Sequence, residues 1–511
     1  MIYPALLALL LSLLAFLAKR RWKRYGPEPC GGKKLPSPPS LPLLGHLLEL
    51  RRQDLPVRFM ELSQCYGPVF RLRFGIQDVV ILNSVEIIRE ALIKKWSDFA
   101  GRPPSYTGDL ISFGGKDLSL GDYTPLWKIQ RRLAHSSVQR SLRTNLESLI
   151  SQEAEHLCQD FLSRGSSPMD VANDFSLHTC KIISSMTFGV LFDTKDPEFQ
   201  AIHKCIAEVV RLWSSPRVIV LDSVPLLRKL PNATLEELLR MAERRDTFVR
   251  NQLQIHKETF RPSEIRDILD NMIHFLQERQ QREQSLAAEG GEEFNEDHVH
   301  MAIVDLFIGG TETTASTLTW TVAFLMHHPQ VQQRIHSEMI DILGPNHFPE
   351  YSDRNRLPLL WATVSEMLRL RPVAPLALPH ATTKDTSVAG YFIPKGTVVI
   401  ANLYAANHDE MIWKNPTQFR PERFLEAEDP KQAHRNVLAF SAGARVCLGE
   451  PLARMELFLF LGHLLHHFRF LPPAAGQLPD LCGIFGFNLR SKPFQVRLVP
   501  WTEPGLGEGQ E

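Results

Sequence analysis

Apolar residues follow three regimes along the chain. The first is a continuous run. Ile2 to Ala18 is interrupted only by Pro4 and Ser12, and Lys19, Arg20, Arg21, Lys23 and Arg24 follow at once. The run is marginally long for a membrane span, and its positive charge lies on the C-terminal side. A cleavable signal peptide carries its charge before the apolar run and small residues after it. The order here predicts a signal anchor over 1–24, with the body of the protein on the cytosolic side. The second regime is alternation: Val69–Phe74 and Asp78–Leu82 read as two strands around Gly75, a hairpin near the start of the body. From Val85 onward the third regime, helical periodicity, dominates, so the chain is expected to be mainly α with small β-sheets.

Two stretches stand out within the helical part. His298 to Met326 is long and apolar enough for a buried central helix, and a second apolar helix is expected to begin near Glu450. Residues 200 to 260 are weakly patterned. Gln280 to Asp297 is polar and reads as a mobile surface connection. Pro36-Ser-Pro38-Pro39-Ser-Leu-Pro42 is dense enough in proline to make a stiff, extended connector. The predicted organisation is therefore an anchor over 1–24, a hinge over 25–42, one large body over 43–501 and a disordered Gly- and Glu-rich tail over 502–511.

Composition narrows the function classes. Among 511 residues, Lys+Arg and Asp+Glu both number 57, so net charge makes no case for nucleic acid. The seven cysteines are an odd number with no C-x-x-C pair, which argues against a disulfide framework or a zinc site.

Candidate chemistry concentrates in Phe440-Ser-Ala-Gly443-Ala-Arg445-Val-Cys447-Leu-Gly449. Gly443 and Gly449 permit tight turns and close approach to a flat cofactor. Cys447, just ahead of a helix, has its thiolate favoured by free backbone N–H groups. Arg445 is placed to pair with an anionic substituent, and Phe440 to shield the sulfur. A lone cysteine is more often structural; the joint spacing favours a ligand. Inside the central helix, Gly309-Gly310-Thr311-Glu312-Thr313-Thr314 holds two glycines that each cost roughly 1 kcal/mol relative to Ala. A back-bonding threonine beside them can open a local groove. Packing alone explains such a patch equally well.

These stretches resemble the cytochrome P-450 family, whose haem-thiolate loop, central-helix acid–alcohol pair, Glu-x-x-Arg (Glu366, Arg369) and Pro-Glu-Arg-Phe (Arg423) elements occur here in order. The resemblance covers nearly the whole chain. It implies the family's fold, with haem b between the central helix and the Cys-bearing loop, and Cys447 as axial ligand to iron. A thiolate ligand there favours O–O cleavage. Glu312 and Thr313 would relay protons. Arg131, in Trp127-x-x-x-Arg131, would contact the haem propionates, as would Arg102, Arg445 and His380. Glu366, Arg369 and Arg423 would form a structural network.

Within the family, Asp98–Pro103, Asp117–Tyr123, His300–Asp305 and Arg369–His380 resemble the microsomal members that hydroxylate C21 of 3-keto steroids. These convert progesterone and 17α-hydroxyprogesterone to 11-deoxycorticosterone and 11-deoxycortisol, with dioxygen and with electrons from NADPH delivered by a reductase. Arg245 would meet the 3-keto group, Asp305 would help orient it, and Trp213 would cover the steroid face. The implied location is the endoplasmic reticulum membrane. A 17α-hydroxylase, a broad-specificity member, a haem-thiolate isomerase and a non-catalytic haem sensor are the competing readings.

Overall fold

A computed structural model describes residues 33–501 apart from 42–43, 76, 286–292 and 487. The expected anchor, half of the hinge, the middle of the polar connection and the tail lie outside the described residues. Among the described residues, no helix is long and apolar enough to cross a membrane.

The hairpin forms where alternation places it. β1 (Val69–Phe74) pairs antiparallel with β2 (Gln77–Leu82), Phe74 facing Gln77 across the turn. The later strands are short: β3 (His380–Ala381), β4 (Thr386–Val388), β5 (Tyr391–Ile393), β6 (Val398–Ala401), β7 (Phe468–Leu471) and β8 (Arg497–Pro500). β2 is interior to a sheet of order β1-β2-β6-β3, and its Val79 to Leu82 are all buried. This explains a continuous apolar run where an edge strand would alternate.

Helices make up the rest. The central helix spans Glu296–His327, 32 residues, or about 48 Å at the α-helical rise. It packs along the helix Ala172–Phe188. Its glycines divide the work: a Cβ on Gly310 would come within 2.8 Å of Ile183, whereas a Cβ on Gly309 would meet nothing within 4 Å. Close packing therefore accounts for Gly310. The helix is continuous through this stretch, so the expected groove is an opening over Gly309 and not a break in the helix.

The helix Pro358–Leu370 carries the structural network. Both carboxylate oxygens of Glu366 accept from Arg369, at 2.8 and 2.9 Å, and Arg423 Nε donates to one of them at 3.0 Å. Arg369 also donates to the carbonyls of Asn407 and Pro416. All three side chains are buried. Removing one member would strand charge in the interior, a loss of roughly 3–5 kcal/mol. The network ties that helix to the segment that precedes the cysteine loop.

Candidate active site

An internal cavity of about 340 Å³ lies between the central helix and the Phe440–Gly449 loop. Its wall brings together Cys447, Arg445, Arg131, Arg102, His380 and Thr313.

The loop is held by backbone constraint. Gly443 has φ of +74°, and a Cβ there would lie 1.7 Å from the Leu92 carbonyl oxygen, so only glycine fits. Ser441 is also left-handed, at φ of 60°, a strained conformation for a residue with a side chain. Cys447 N–H donates to the Phe440 carbonyl at 3.0 Å. Its sulfur is deep in the molecule yet open to the cavity. Burial pushes the thiol up from its ordinary value, against the backbone N–H groups of Gly449 and Glu450. The helix start is thus outweighed by desolvation, contrary to the sequence expectation. A metal cation at the sulfur would reverse the balance, because coordination deprotonates a thiol outright.

Three arginines gather along this wall, with Asp117, Asp122 and Asp305 near them. Arg445 lies 3.7 Å over the Trp127 ring and donates to the carbonyls of Ala100, Leu118 and Gly121. Burial, with the nearby Arg102 charge, holds it down at about 8. Arg102 donates to the carbonyls of Ser119, Leu378 and Pro379, and burial lowers it to about 10. Arg131, on the helix Pro125–Ser141, donates to the Val446 carbonyl and is lowered by burial. Three guanidiniums around one wall, two of them lowered further by a neighbouring guanidinium, are a receptor for a group carrying more than one negative charge. Together with the open thiol and the uncovered Gly309, this donor set fits haem and its two propionates.

His380 Nδ1 lies 2.8 Å from the Phe99 carbonyl and must donate to it. Burial and the Arg102 charge lower its pKa to about 3. The imidazole is therefore neutral, with Nε2 an acceptor. Donation to a carboxylate would need a second proton, which an anion in the cavity would favour.

The central-helix pair is split between two faces. Thr313 lines the cavity, its hydroxyl donating to the Gly309 carbonyl at 2.7 Å. Glu312 does not line it: the carboxylate accepts from Ser176 Oγ at 2.8 Å on the face toward Ala172–Phe188. Neighbours on a helix point about 100° apart, so adjacency in sequence does not bring the acid to the alcohol's side.

Asp305 departs from its expected part. It is in the cavity wall, where it accepts from Ser119 N at 3.1 Å and Ser119 Oγ at 2.8 Å, and from Leu118 N. It does not orient Arg245. Burial, with repulsion from Asp117, raises it to about 8. The partner of Arg245 is its neighbour: Nε donates to Asp246 Oδ1 at 2.8 Å, and Nη2 to the Ile111 carbonyl at 2.8 Å. Arg245 is 2% exposed, which excludes the surface role common for arginines in mixed-charge runs. Trp213 Nε1 donates to Thr107 Oγ1 at 3.2 Å. Arg245 and Trp213 thereby meet opposite ends of the short helix Tyr106–Ile111 and stand outside the main cavity wall.

Glu456 escaped the sequence reading. It is fully buried in the cavity wall, and neither carboxylate oxygen has a hydrogen bond of ordinary geometry, although Thr314 is close by. Burial raises it to about 8, so it is a neutral acid at pH 7. The available signal was a single acid inside the apolar run from Met455 to Leu465.

A family model for cytochrome P-450 matches residues 35–498. Steroid 21-hydroxylase of Canis lupus familiaris is 46% identical over 514 residues, covering 98% of each chain. That of Homo sapiens is 45% identical over 504 residues, covering 96% of this chain and 97% of the human one. Among solved structures, a zebra fish cytochrome P-450 with progesterone superposes with a TM-score of 0.77 at 36% identity, covering 88% of this chain and all of the other.

Proposed function

Since the chain belongs to the cytochrome P-450 family, we propose that it is the monooxygenase that places a hydroxyl on C21 of 3-keto steroids. Progesterone would give 11-deoxycorticosterone, and 17α-hydroxyprogesterone would give 11-deoxycortisol. The observation that carries the chemistry is a single cavity that sets the Cys447 sulfur, three arginines and the Thr313 hydroxyl around one space. Similarity to steroid 21-hydroxylases over nearly the full length supports the choice of substrate and carbon.

Haem bound in this cavity supplies dioxygen activation at a thiolate-ligated iron. The chain's own residues do the rest. Cys447 gives up its proton to ligate, while Arg102, Arg131 and Arg445, with His380, hold the propionates. Thr313 presents a hydroxyl at the cavity wall, and Glu312 exchanges protons with it once its side chain rotates from the adjacent face. Apolar side chains such as Val373, Leu368 and Ile183 exclude water and supply affinity without direction. Arg245 and Trp213, which meet the two ends of the helix Tyr106–Ile111 outside the main cavity wall, would give direction and close the steroid face. Electrons come from NADPH through a partner reductase. The apolar run Ile2–Ala18 anchors the enzyme in the endoplasmic reticulum membrane, with the body in the cytosol.

The test is product assignment. Holoenzyme, reductase and NADPH are incubated with each steroid and the product is identified by mass spectrometry and NMR. The expected hydroxyl is on C21. Hydroxylation at C17, or no product, would overturn the reading.

A further inference from the structure

Outside the cavity, one polar cluster sits against the central helix with a definite hydrogen-bond direction. Ser176 Oγ lies 2.6 Å from His203 Nε2 and 2.8 Å from Glu312 Oε1. His203 Nε2 is itself 3.8 Å from that carboxylate oxygen. A serine hydroxyl has one proton to give. The carboxylate can only accept, so Ser176 donates to Glu312 and must accept from His203. The Nε2 nitrogen therefore carries the proton, and Nδ1 is the basic nitrogen. Ser176 and His203 are 5% exposed each. An oriented polar chain in such a place needs a reason beyond packing.

We propose that His203 and Ser176 form a proton-supply chain that reloads Glu312 from the side of the central helix away from the cavity. The proposal rests on the relay reading of Glu312 and Thr313. Nδ1 of His203 takes a proton from a solvent hydronium ion, which leaves as water, as Nε2–H breaks toward Ser176 Oγ. The Ser176 O–H bond breaks in turn, toward Glu312 Oε1. One proton enters at the imidazole, one arrives on the carboxylate, and the serine ends neutral. The hydroxyl and ring then turn to restore the starting order. A rotation of the Glu312 side chain takes the proton to the opening over Gly309, beside Thr313. Burial lowers the imidazole pKa, which keeps His203 neutral and able to alternate between its two nitrogens. Ser176 and His203 are positioning and supply residues, since neither reaches the cavity.

Two readouts test this. Nitrogen-15 NMR of labelled histidine should place the His203 proton on Nε2 in the wild type and lose that preference in Ser176→Ala; a proton on Nδ1 in the wild type would break the chain. In steroid turnover, Ser176→Ala and His203→Phe should raise peroxide per NADPH and lower product per NADPH by about tenfold, a modest share of general acid catalysis. Ser176→Thr, which keeps the hydroxyl, should stay within about twofold on that scale. The reduced, carbon-monoxide-bound spectrum should be unchanged in all three. If Ser176→Ala stays coupled while Thr313→Ala uncouples, the chain is wrong and the relay stands. If Thr313→Ala and Glu312→Gln both stay coupled, the relay falls and this proposal with it.

Discussion

At the scale of single residues, the proposed substrate contact is tested most sharply at Arg245. It is buried and ion-paired to Asp246, which also lies 3.2 Å from His300 Nε2. Truncation therefore removes more than a ligand contact, because it leaves Asp246 with less compensation in the interior. A comparison of ligands separates the two effects. A hydrogen bond from a charged donor to a buried ketone is worth about 1.5–3 kcal/mol. Arg245→Ala should weaken progesterone binding by about ten- to a hundredfold on that scale. An analogue lacking the 3-oxygen should lose far less. Spectral titration of both ligands checks this, and equal losses would assign Arg245 to the fold alone.

At the scale of elements, the two glycines of the central helix make a matched experiment. Gly310→Ala forces a methyl into Ile183, and overpacking of that kind costs about 1–3 kcal/mol. Gly309→Ala meets no neighbour and should be neutral or stabilising by up to about 1 kcal/mol through helix propensity. Urea midpoints measure both, and Ile183→Val should recover part of the Gly310→Ala loss. Equal stabilities for the two variants would show that the helix shifts to absorb the methyl. The same pair shows what a one-dimensional pattern carries. Cys447, Gly443, Arg445 and Thr313 were legible because their spacing is local, and the strand Val69–Phe74 because alternation is local too. Residues 200–260 looked weakly patterned yet include the end of the helix Pro197–Trp213 and the 27-residue helix Ala233–Thr259. In the latter, Arg245 and Asp246 are buried as a pair and blur the apolar stripe. Ser176, His203 and Glu312 are brought together across 136 positions, and Asp305 reaches back 186 to Ser119. No spacing rule reports such pairings, and they decide which face Glu312 serves.

The whole molecule has equal numbers of acidic and basic residues, and that balance conceals an interior with a concentration of arginine around the cavity. The proposed orientation toward the membrane can be tested at one half-buried residue. Asn232-Ala-Thr234 is a formal glycosylation sequon. In the folded protein Asn232 caps the helix Ala233–Thr259: its side-chain oxygen accepts from Thr234 N and Leu235 N at 3.1 Å, and its nitrogen donates to the Arg217 carbonyl at 2.9 Å. That engagement gives no protection during synthesis, when an acceptor asparagine is met on a chain not yet folded. Topology decides instead. Basic residues follow the apolar run at once, and with the proposed anchor the positive-inside rule would keep everything after Arg24 in the cytosol, away from the glycosylation machinery. Full-length protein expressed in microsomes should keep its unmodified mass at Asn232. A mass shift removed by glycosidase would place the body on the lumenal side and overturn the anchor's orientation, together with access to a cytosolic reductase.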